Sequence, residues 1–243
     1  MLNEPLMAQL QTLGLRGMAR ALERQQQQAE AKTLDFEDRL GMLVQHELVE
    51  RQNLRLSQRL RWAKLGQPAC IEDLDARAPR GIERGRLTQL SQLDWINKRL
   101  NLLITGPTGV GKSYIACAMA HQACRDDLSV RYYRMPRLAE ELLRAAAQQK
   151  RSALFKQLAR VSLLVIDDFG LAPMSDEMKR DLLEILDDRF DKTSTIVTSQ
   201  LPVDRWHLWL NEPTLADAIL DRLVHNAHRL ELKGESMRRK KSA

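Results

Sequence analysis

"NLLITGPTGVGKS", Asn101–Ser113, decides how the rest of the chain is read. An apolar run, Leu102–Ile104, stops at Thr105 and gives way to Gly106, Gly109 and Gly111, then to Lys112 and Ser113. The spacing is G-x-x-x-x-G-K-[ST]. Glycines at those places let successive backbone N–H groups turn inward on an anion, and the helix that follows adds the positive end of its dipole. Gly106, Pro107, Thr108, Gly109, Val110, Gly111, Lys112 and Ser113 are therefore expected to cradle the phosphates of a nucleotide. Lys112 would reach the β- and γ-phosphates as a point charge, and the Ser113 hydroxyl would hold Mg²⁺.

The flanks supply the context that this loop needs. A short apolar strand precedes it, and the alanine-rich "GKSYIACAMAHQACRD" after it reads as a helix. Downstream the pattern alternates: strand "SVRYYR", helix "PRLAEELLRAAAQQ", strand "VSLLVIDDFG", helix "MSDEMKRDLLEILDDRFD", strand "TSTIVTSQ", helix "LADAILDRLVHNA", strand "RLELKG". Strands that are apolar on both faces and alternate with helices make a parallel sheet covered on both sides. The fold class expected is α/β, a P-loop NTPase sheet with helices on both faces.

Three further positions complete the candidate chemistry. Asp167 ends the apolar "SLLVID" and is the acidic partner expected to support the Mg²⁺ shell. Asp168 follows at the strand tip and is the candidate for polarising the attacking water. At the tip of "TIVTSQLP", Gln200 is the first choice for holding that water or sensing the γ-phosphate, with Ser199 and Thr198 close behind. Arg222, on the helix after that strand, is placed to act on a neighbouring subunit's γ-phosphate, with Arg205 and Arg229 as alternatives.

The chain has 243 residues, 44% of them apolar and 29% charged, with 38 basic against 32 acidic residues and a formal net charge of +6. A mildly basic balance suits a polyanion partner. Cys70, Cys117 and Cys124 are odd in number and lack C-x-x-C spacing, so neither a disulfide framework nor a zinc site is expected. No basic n-region precedes an apolar run at the N-terminus, and nowhere do 18 apolar residues run together. A cytoplasmic protein without membrane partners is the expectation.

Residues 1–65 differ in character from the rest and are read as a small all-helical domain; 66–81 form a proline- and glycine-punctuated linker, and 82–243 the nucleotide domain. Gly14 and Gly17 mark a break between two helical stretches, Gln25–Gln28 a solvated turn, and Thr33 the N-cap of a long helix whose core stripe is Leu40, Leu43, Val44 and Leu48. That helix continues into "RQNLRLSQRLRWAK", where Arg51, Arg55, Arg59, Arg61 and Lys64 stand with no acid among them. Arg51, Arg55 and Arg59 recur every four residues and share a face suited to phosphates of double-stranded DNA. Arg131, Arg134 and Arg137 form a second basic cluster, and Arg238–Lys241 a third. Nothing resembles a base-reading motif, so weak sequence preference is expected.

"LLITGPTGVGKS", "LLVIDDFG", "TIVTSQLP" and "LADAILDRLVHNAHRLELKGESMRRK", taken in order, resemble an AAA+ ATPase of the branch that holds helicase loaders and replication initiators. The closer resemblance is to the IstB-type ATPases, helper proteins encoded beside a transposase in bacterial insertion sequences. It covers nearly the whole chain. It implies a cytoplasmic ATPase using ATP and Mg²⁺ that assembles head to tail with copies of itself on DNA, remodels it and recruits or activates a cognate transposase. Carried over, Gly106 to Ser113 bind ATP, Asp167 supports Mg²⁺, Asp168 activates water and Arg222 acts in trans. The chain departs from the wider pattern in carrying Asp168 where many members have glutamate, and in having too few residues after the last strand for a C-terminal lid. Arg238 is a candidate to replace the contact such a lid would give. Two other readings share the phosphate loop: a replicative helicase loader, whose N-terminal domain would grip a helicase, and a metabolic kinase, which lacks a visible substrate lid.

Overall fold

A computed structural model describes residues 3–28, 33–74, 81 and 84–237. It divides into two compact units, Met1–Gln58 and Arg59–Ala243.

In the first unit, α1 (Asn3–Thr12) and α2 (Arg16–Gln27) are joined by a turn at Leu13–Gly14, where Gly14 has φ +73°. Gly17 lies inside α2 rather than at the break. The long helix α3 runs from Phe36 to Ala63, belonging to this unit as far as Gln58 and to the second from Arg59. Its cap is Asp35, whose Oδ1 accepts from the Asp38 N–H at 2.8 Å, and not Thr33. A carboxylate at that place satisfies an N–H that the first turn leaves without an intrahelical partner. The helices are held by an unexpected group. Glu47 is buried, and its Oε2 accepts from the N–H groups of Gly17 (2.7 Å) and Met18 (3.2 Å), while Oε1 takes Arg51 at 2.7 Å. Gln25 is also buried and donates to the Arg39 carbonyl at 2.9 Å, so the glutamine run is packed at this end. By contrast Leu40, Val44 and Leu48, expected as core, are exposed. The apolar period of α3 was legible, but a charged side chain with three partners occupies its buried face.

The second unit is an α/β layer structure. Helices α4 (Arg84–Ser91) and α5 (Asp94–Asn97) lead into β1 (Asn101–Thr105). Then come α6 (Lys112–Arg125), β2 (Val130–Arg134), α7 (Met135–Ala147), α8 (Arg151–Arg160), β3 (Leu163–Phe169), α9 (Asp176–Arg189), β4 (Ser194–Ser199), α10 (Trp206–Leu210), α11 (Pro213–Val224) and β5 (Ala227–Glu231). All strands pair in parallel, in the order β2-β3-β4-β1-β5. Parallel pairing sends every strand's C-terminal end to one edge, where β4 is inserted between β1 and β3 and leaves the crevice that open α/β sheets use for ligands. Strands β1, β3 and β4 are almost wholly buried, as the apolar runs of β1 and β3 require, whereas β5 at the sheet's edge is mostly half-buried or exposed.

Helix α8 has no counterpart in the sequence reading, which ends a helix at Gln149 and passes directly to the strand from Val161; Gln149 takes a left-handed turn (φ +57°) with no glycine or proline to mark the break. Helix α9 starts on Ser175, whose Oγ accepts from Met178 N–H at 3.2 Å, and turns Met178, Leu182, Ile185 and Leu186 inward. Arg189 at its end is buried without a carboxylate partner among the described residues. It donates to Thr195 Oγ1 (3.1 Å) and to the carbonyls of Leu158 (2.6 Å), Val161 (3.0 Å) and Ser194, tying α8, α9 and β4 together. Burial pushes its pKa down to about 9. Trp206 is wholly buried, donates to the Leu201 carbonyl at 3.0 Å, and lies 4.8 Å from the Phe169 ring, fixing the residue that follows the two aspartates.

Of the stretch 66–81, residues 75–80 lie outside the described residues. Its start is seated on the second unit: Ala69 is buried, Cys70 Sγ is 3.9 Å from His121 Nδ1, and Glu72 pairs with Arg125. Among the described residues no helix is long and apolar enough to cross a membrane.

Candidate functional site

The loop between β1 and α6 is built on positive backbone angles. Gly106 has φ +143°, Gly109 +85° and Gly111 +101°, and Gly111 caps α6. Any larger residue at Gly106 would put its Cβ 2.3 Å from the Leu232 carbonyl oxygen. The loop is thus shaped by side-chain deletion at both its entrance and its exit. Lys112 folds back over it, Nζ donating to the Gly106 carbonyl at 2.7 Å and the Pro107 carbonyl at 2.8 Å. Val110 is buried and Thr108 exposed, so one anchors the loop and the other faces solvent.

The C-terminal segment lies against this loop. Leu232 N–H donates to Thr105 O at 2.7 Å, and Met237 N–H to Gly109 O at 2.9 Å. A trans peptide is planar, so a carbonyl held on one side turns the next N–H to the other. The tail therefore orients the Gly109–Val110 peptide with the Val110 N–H directed away from it. No sequence signal marks this contact. Arg238, the candidate lid substitute, and the rest of the Arg238–Lys241 cluster lie outside the described residues.

Strand β3 delivers both aspartates to the loop. Asp167 is buried and accepts from Ser113 Oγ at 2.8 Å and from Thr198 Oγ1 on Oδ1, and from Tyr132 Oη at 2.6 Å on Oδ2. Burial first, and then the bond to Asp167, push the Tyr132 phenol well above its ordinary pKa, so it stays a donor. Asp168 stands in the left-handed region (φ +61°), a strained setting for a non-glycine residue. Its N–H donates to Thr198 Oγ1 at 3.2 Å and its Oδ2 accepts from Arg134.

Of the three candidates at the β4 tip, each has a different task. Thr198 bridges the two aspartates. Ser199 Oγ donates to the Phe169 carbonyl at 2.6 Å and accepts from Leu201 N–H at 3.1 Å. Gln200 Oε1 accepts from Thr108 Oγ1 at 2.8 Å, which brings it to the phosphate loop. Lys112, Ser113, Asp167, Asp168, Thr198 and Gln200 thus converge at one edge of the sheet. The hydroxyl and carboxylate oxygens of Ser113 and Asp167 are hard donors of the kind that Mg²⁺ takes, and the positive-φ loop fits phosphates. Tyr132 and Arg134 were missed as site residues, because only the β2–β3 register, with Arg134 opposite Asp167, brings them there.

Arg222 lies elsewhere. The Asn101 side chain, at the opposite end of β1 from the loop, donates to its carbonyl at 3.0 Å. Its guanidinium pairs with Asp187 (2.8 Å) and Asp221, 4.8 Å over the Phe190 ring. Arg205 and Arg229, the alternatives, are exposed.

The basic residues of α3 and the turn after it divide. Arg51 is tied to Glu47, and Arg59 to Asp127 at 2.6 Å. Arg55, Arg61 and Lys64 are exposed and carry no ion pair among the described residues. Arg131 is buried between the Trp62 and Tyr133 rings, 5.1 and 5.3 Å from their centroids, which removes it from the second basic cluster; Arg137 pairs with Glu140.

A parallel sheet in this order, a positive-φ loop ending in Lys112 and Ser113, and an acidic strand tip beside it define a P-loop NTPase fold of the AAA+ type. The profile of the IstB-like ATP binding protein family matches residues 8–243, and the chain belongs to that family. Two insertion-sequence ATP-binding proteins of Sinorhizobium fredii are 48% and 50% identical to it over 239 residues, which is 98% of this chain and 98% and 96% of theirs. Among solved structures, DnaI is similar at TM-score 0.60 and 22% identity, covering 70% of this chain and 96% of that one. The DnaC helicase loader is similar at 0.55 and 18%, covering 68% and 97%. These two likenesses concern the fold.

Proposed function

We propose that this chain binds ATP with Mg²⁺ in the loop Gly106–Ser113, hydrolyses it, and serves as a transposition helper that multimerises on double-stranded DNA and recruits or activates its transposase. The observation that carries the nucleotide part is the bond from Ser113 Oγ to Asp167 Oδ1. It joins the last residue of the phosphate loop to the buried carboxylate at the β3 tip. The names of relatives that match along nearly their whole length support the transposition part.

In this reading the loop amides and the Lys112 ammonium bind the phosphates, and Ser113 and Asp167 hold the metal side. Bound Mg²⁺ would neutralise charge that develops on the β- and γ-phosphates. Thr198 fixes the two aspartates relative to one another, Asp168 takes the proton side of the attacking water, and Gln200 orients that water or senses the γ-phosphate. Arg222 completes a neighbour's site in a head-to-tail assembly, consistent with its distance from its own loop. Arg55 and Arg61 of α3, with Lys64 just beyond it, are the basic residues here best exposed for DNA phosphates, with Arg51 and Arg59 partly neutralised. Fold likeness alone favours a helicase loader, and nothing in the site favours a kinase.

The test is phosphate release with and without duplex DNA. The wild type should hydrolyse ATP faster with DNA. Asp168→Asn should retain ATP binding and slow turnover by about 10²–10⁴-fold, the usual worth of a general base. Wild-type turnover in Asp168→Asn would reject the water-activation role, and indifference to DNA would reject the DNA-coupled reading.

A further inference from the structure

The end of α3 is clasped to strand β2 within the second unit. Arg131 Nη1 donates to the Trp62 carbonyl at 2.5 Å while its guanidinium lies between the Trp62 and Tyr133 rings. Arg59, one turn earlier, pairs with Asp127 just before β2. Lys64 then takes a left-handed turn (φ +52°), and the chain passes over the next β2 residue, Tyr132. A Cβ at Gly66 would stand 2.4 Å from Tyr132 Oη and 2.6 Å from Cζ, so this backbone roofs the phenol as closely as a side-chain-free residue allows. The same segment touches α6: burial pushes the Cys117 thiol up to about 11 against the opposing pull of the Gln67 and Gly66 amides.

That phenol is the donor to Asp167 Oδ2, whose other oxygen meets Ser113 and Thr198. If Ser113 turns its hydroxyl to a metal, Thr198 and Tyr132 remain to aim the carboxylate. We propose that Tyr132 is the positioning residue for the metal-side carboxylate of Asp167, and that the loop after α3, through Gly66, sets where the phenol stands. A load on the last turn of α3 is then transmitted through Gly66 and Tyr132 to the affinity for Mg²⁺. This inference rests on the Mg·ATP reading above and names a regulator of that site.

The experiment measures binding of a fluorescent ATP analogue to the full chain, in EDTA and across a Mg²⁺ titration. Tyr132→Phe keeps the ring and removes the donor. It should bind the analogue as the wild type does in EDTA, and need about tenfold more Mg²⁺ for half of the metal-dependent gain, the scale of one hydrogen bond to a charged group. Gly66→Ala keeps the hydroxyl but displaces it, and should reproduce that shift; its φ is one that alanine adopts, so only the contact is tested. The double variant should be no worse than either single one, as expected for residues acting through one contact. Arg131→Gln, which opens the clasp on Trp62, should shift the titration the same way and stands in if Gly66→Ala does not fold. A wild-type Mg²⁺ titration in Tyr132→Phe, or additive effects in the double variant, overturns the inference. Failure of the wild type itself to bind with Mg²⁺ overturns the nucleotide reading, and the inference with it.

Discussion

Arg134 holds Asp168 by a single carboxylate oxygen, Oδ2 lying 2.8 Å from Nε and 2.7 Å from Nη2. The residue proposed to act on water is thus turned toward a cation from the neighbouring strand. The Arg134 side chain is more than half exposed (56%), and an ion pair open to solvent on its cationic side is cheap to break, about 1 kcal/mol or less. Arg134→Ala should leave ATP affinity unchanged and raise basal turnover by up to about fivefold, the rate equivalent of that energy. Steady-state kinetics without DNA decide it. A fall in kcat would show instead that Arg134 holds Asp168 in its working position.

The contact between Met237 and Gly109 is made by backbone, so it can be removed at one atom. Met237→Pro deletes the N–H, whereas Met237→Ala keeps it. The proline variant should bind Mg·ATP about three- to tenfold more weakly, since a net hydrogen bond contributes roughly 0.5–1.5 kcal/mol, and the alanine variant should bind as the wild type. Equal affinities for both would mean that the tail does not orient the Val110 amide.

Glu47 gives the first unit a dependence on acid. Burial raises its pKa, but the bonds from Arg51, Met18 and Gly17 outweigh that, leaving it below its ordinary 4.5. A carboxylate lowered on folding adds stability that is complete above 4.5 and is lost as pH falls through the lower folded value. Amide exchange of Gly17 and Met18, followed by NMR on the full chain, should accelerate beyond its intrinsic pH trend in that window. Glu47→Gln should cost about 1–3 kcal/mol at neutral pH, because an amide cannot serve both N–H groups and Arg51. It should also abolish the acid step. An unchanged step in the glutamine variant would place its origin elsewhere.

Exposed and tied arginines of α3 should behave differently toward DNA. Arg55→Glu and Arg61→Glu together should weaken duplex binding and reduce the slope of log K against log salt by about two, the effect of losing two phosphate contacts. Arg59→Ala should act on stability more than on the slope, since Arg59 already serves Asp127. An unaltered slope in the double variant would move the DNA face away from α3.

How far the sequence reached follows from what kind of signal each part had. The sheet was legible because its strands β1 and β3 carry apolar runs between helical stretches, and the phosphate loop because its positive-φ positions are glycines. Asp167 and Asp168 stood out as acids at the end of an apolar run. Tyr132 and Arg134 did not, because their role depends on pairing register, which spacing along one strand does not reveal. Glu47 and Arg189 were hidden for a related reason: both look like ordinary helix-surface charges, and only the packed structure shows them buried and bonded. Short helices such as α10, with five residues, leave no period to read.

The most direct measurement is calorimetric titration of ATP into the wild type and Lys112→Ala, each with and without Mg²⁺. Lys112 closes the loop over its own carbonyls at 2.7 and 2.8 Å, where an anion would draw the ammonium inward. If the cradle is a Mg·ATP site, the wild type gives saturable heat that strengthens with Mg²⁺, and Lys112→Ala gives none. Saturable binding of equal strength in both proteins, or no heat in the wild type with Mg²⁺, would contradict it.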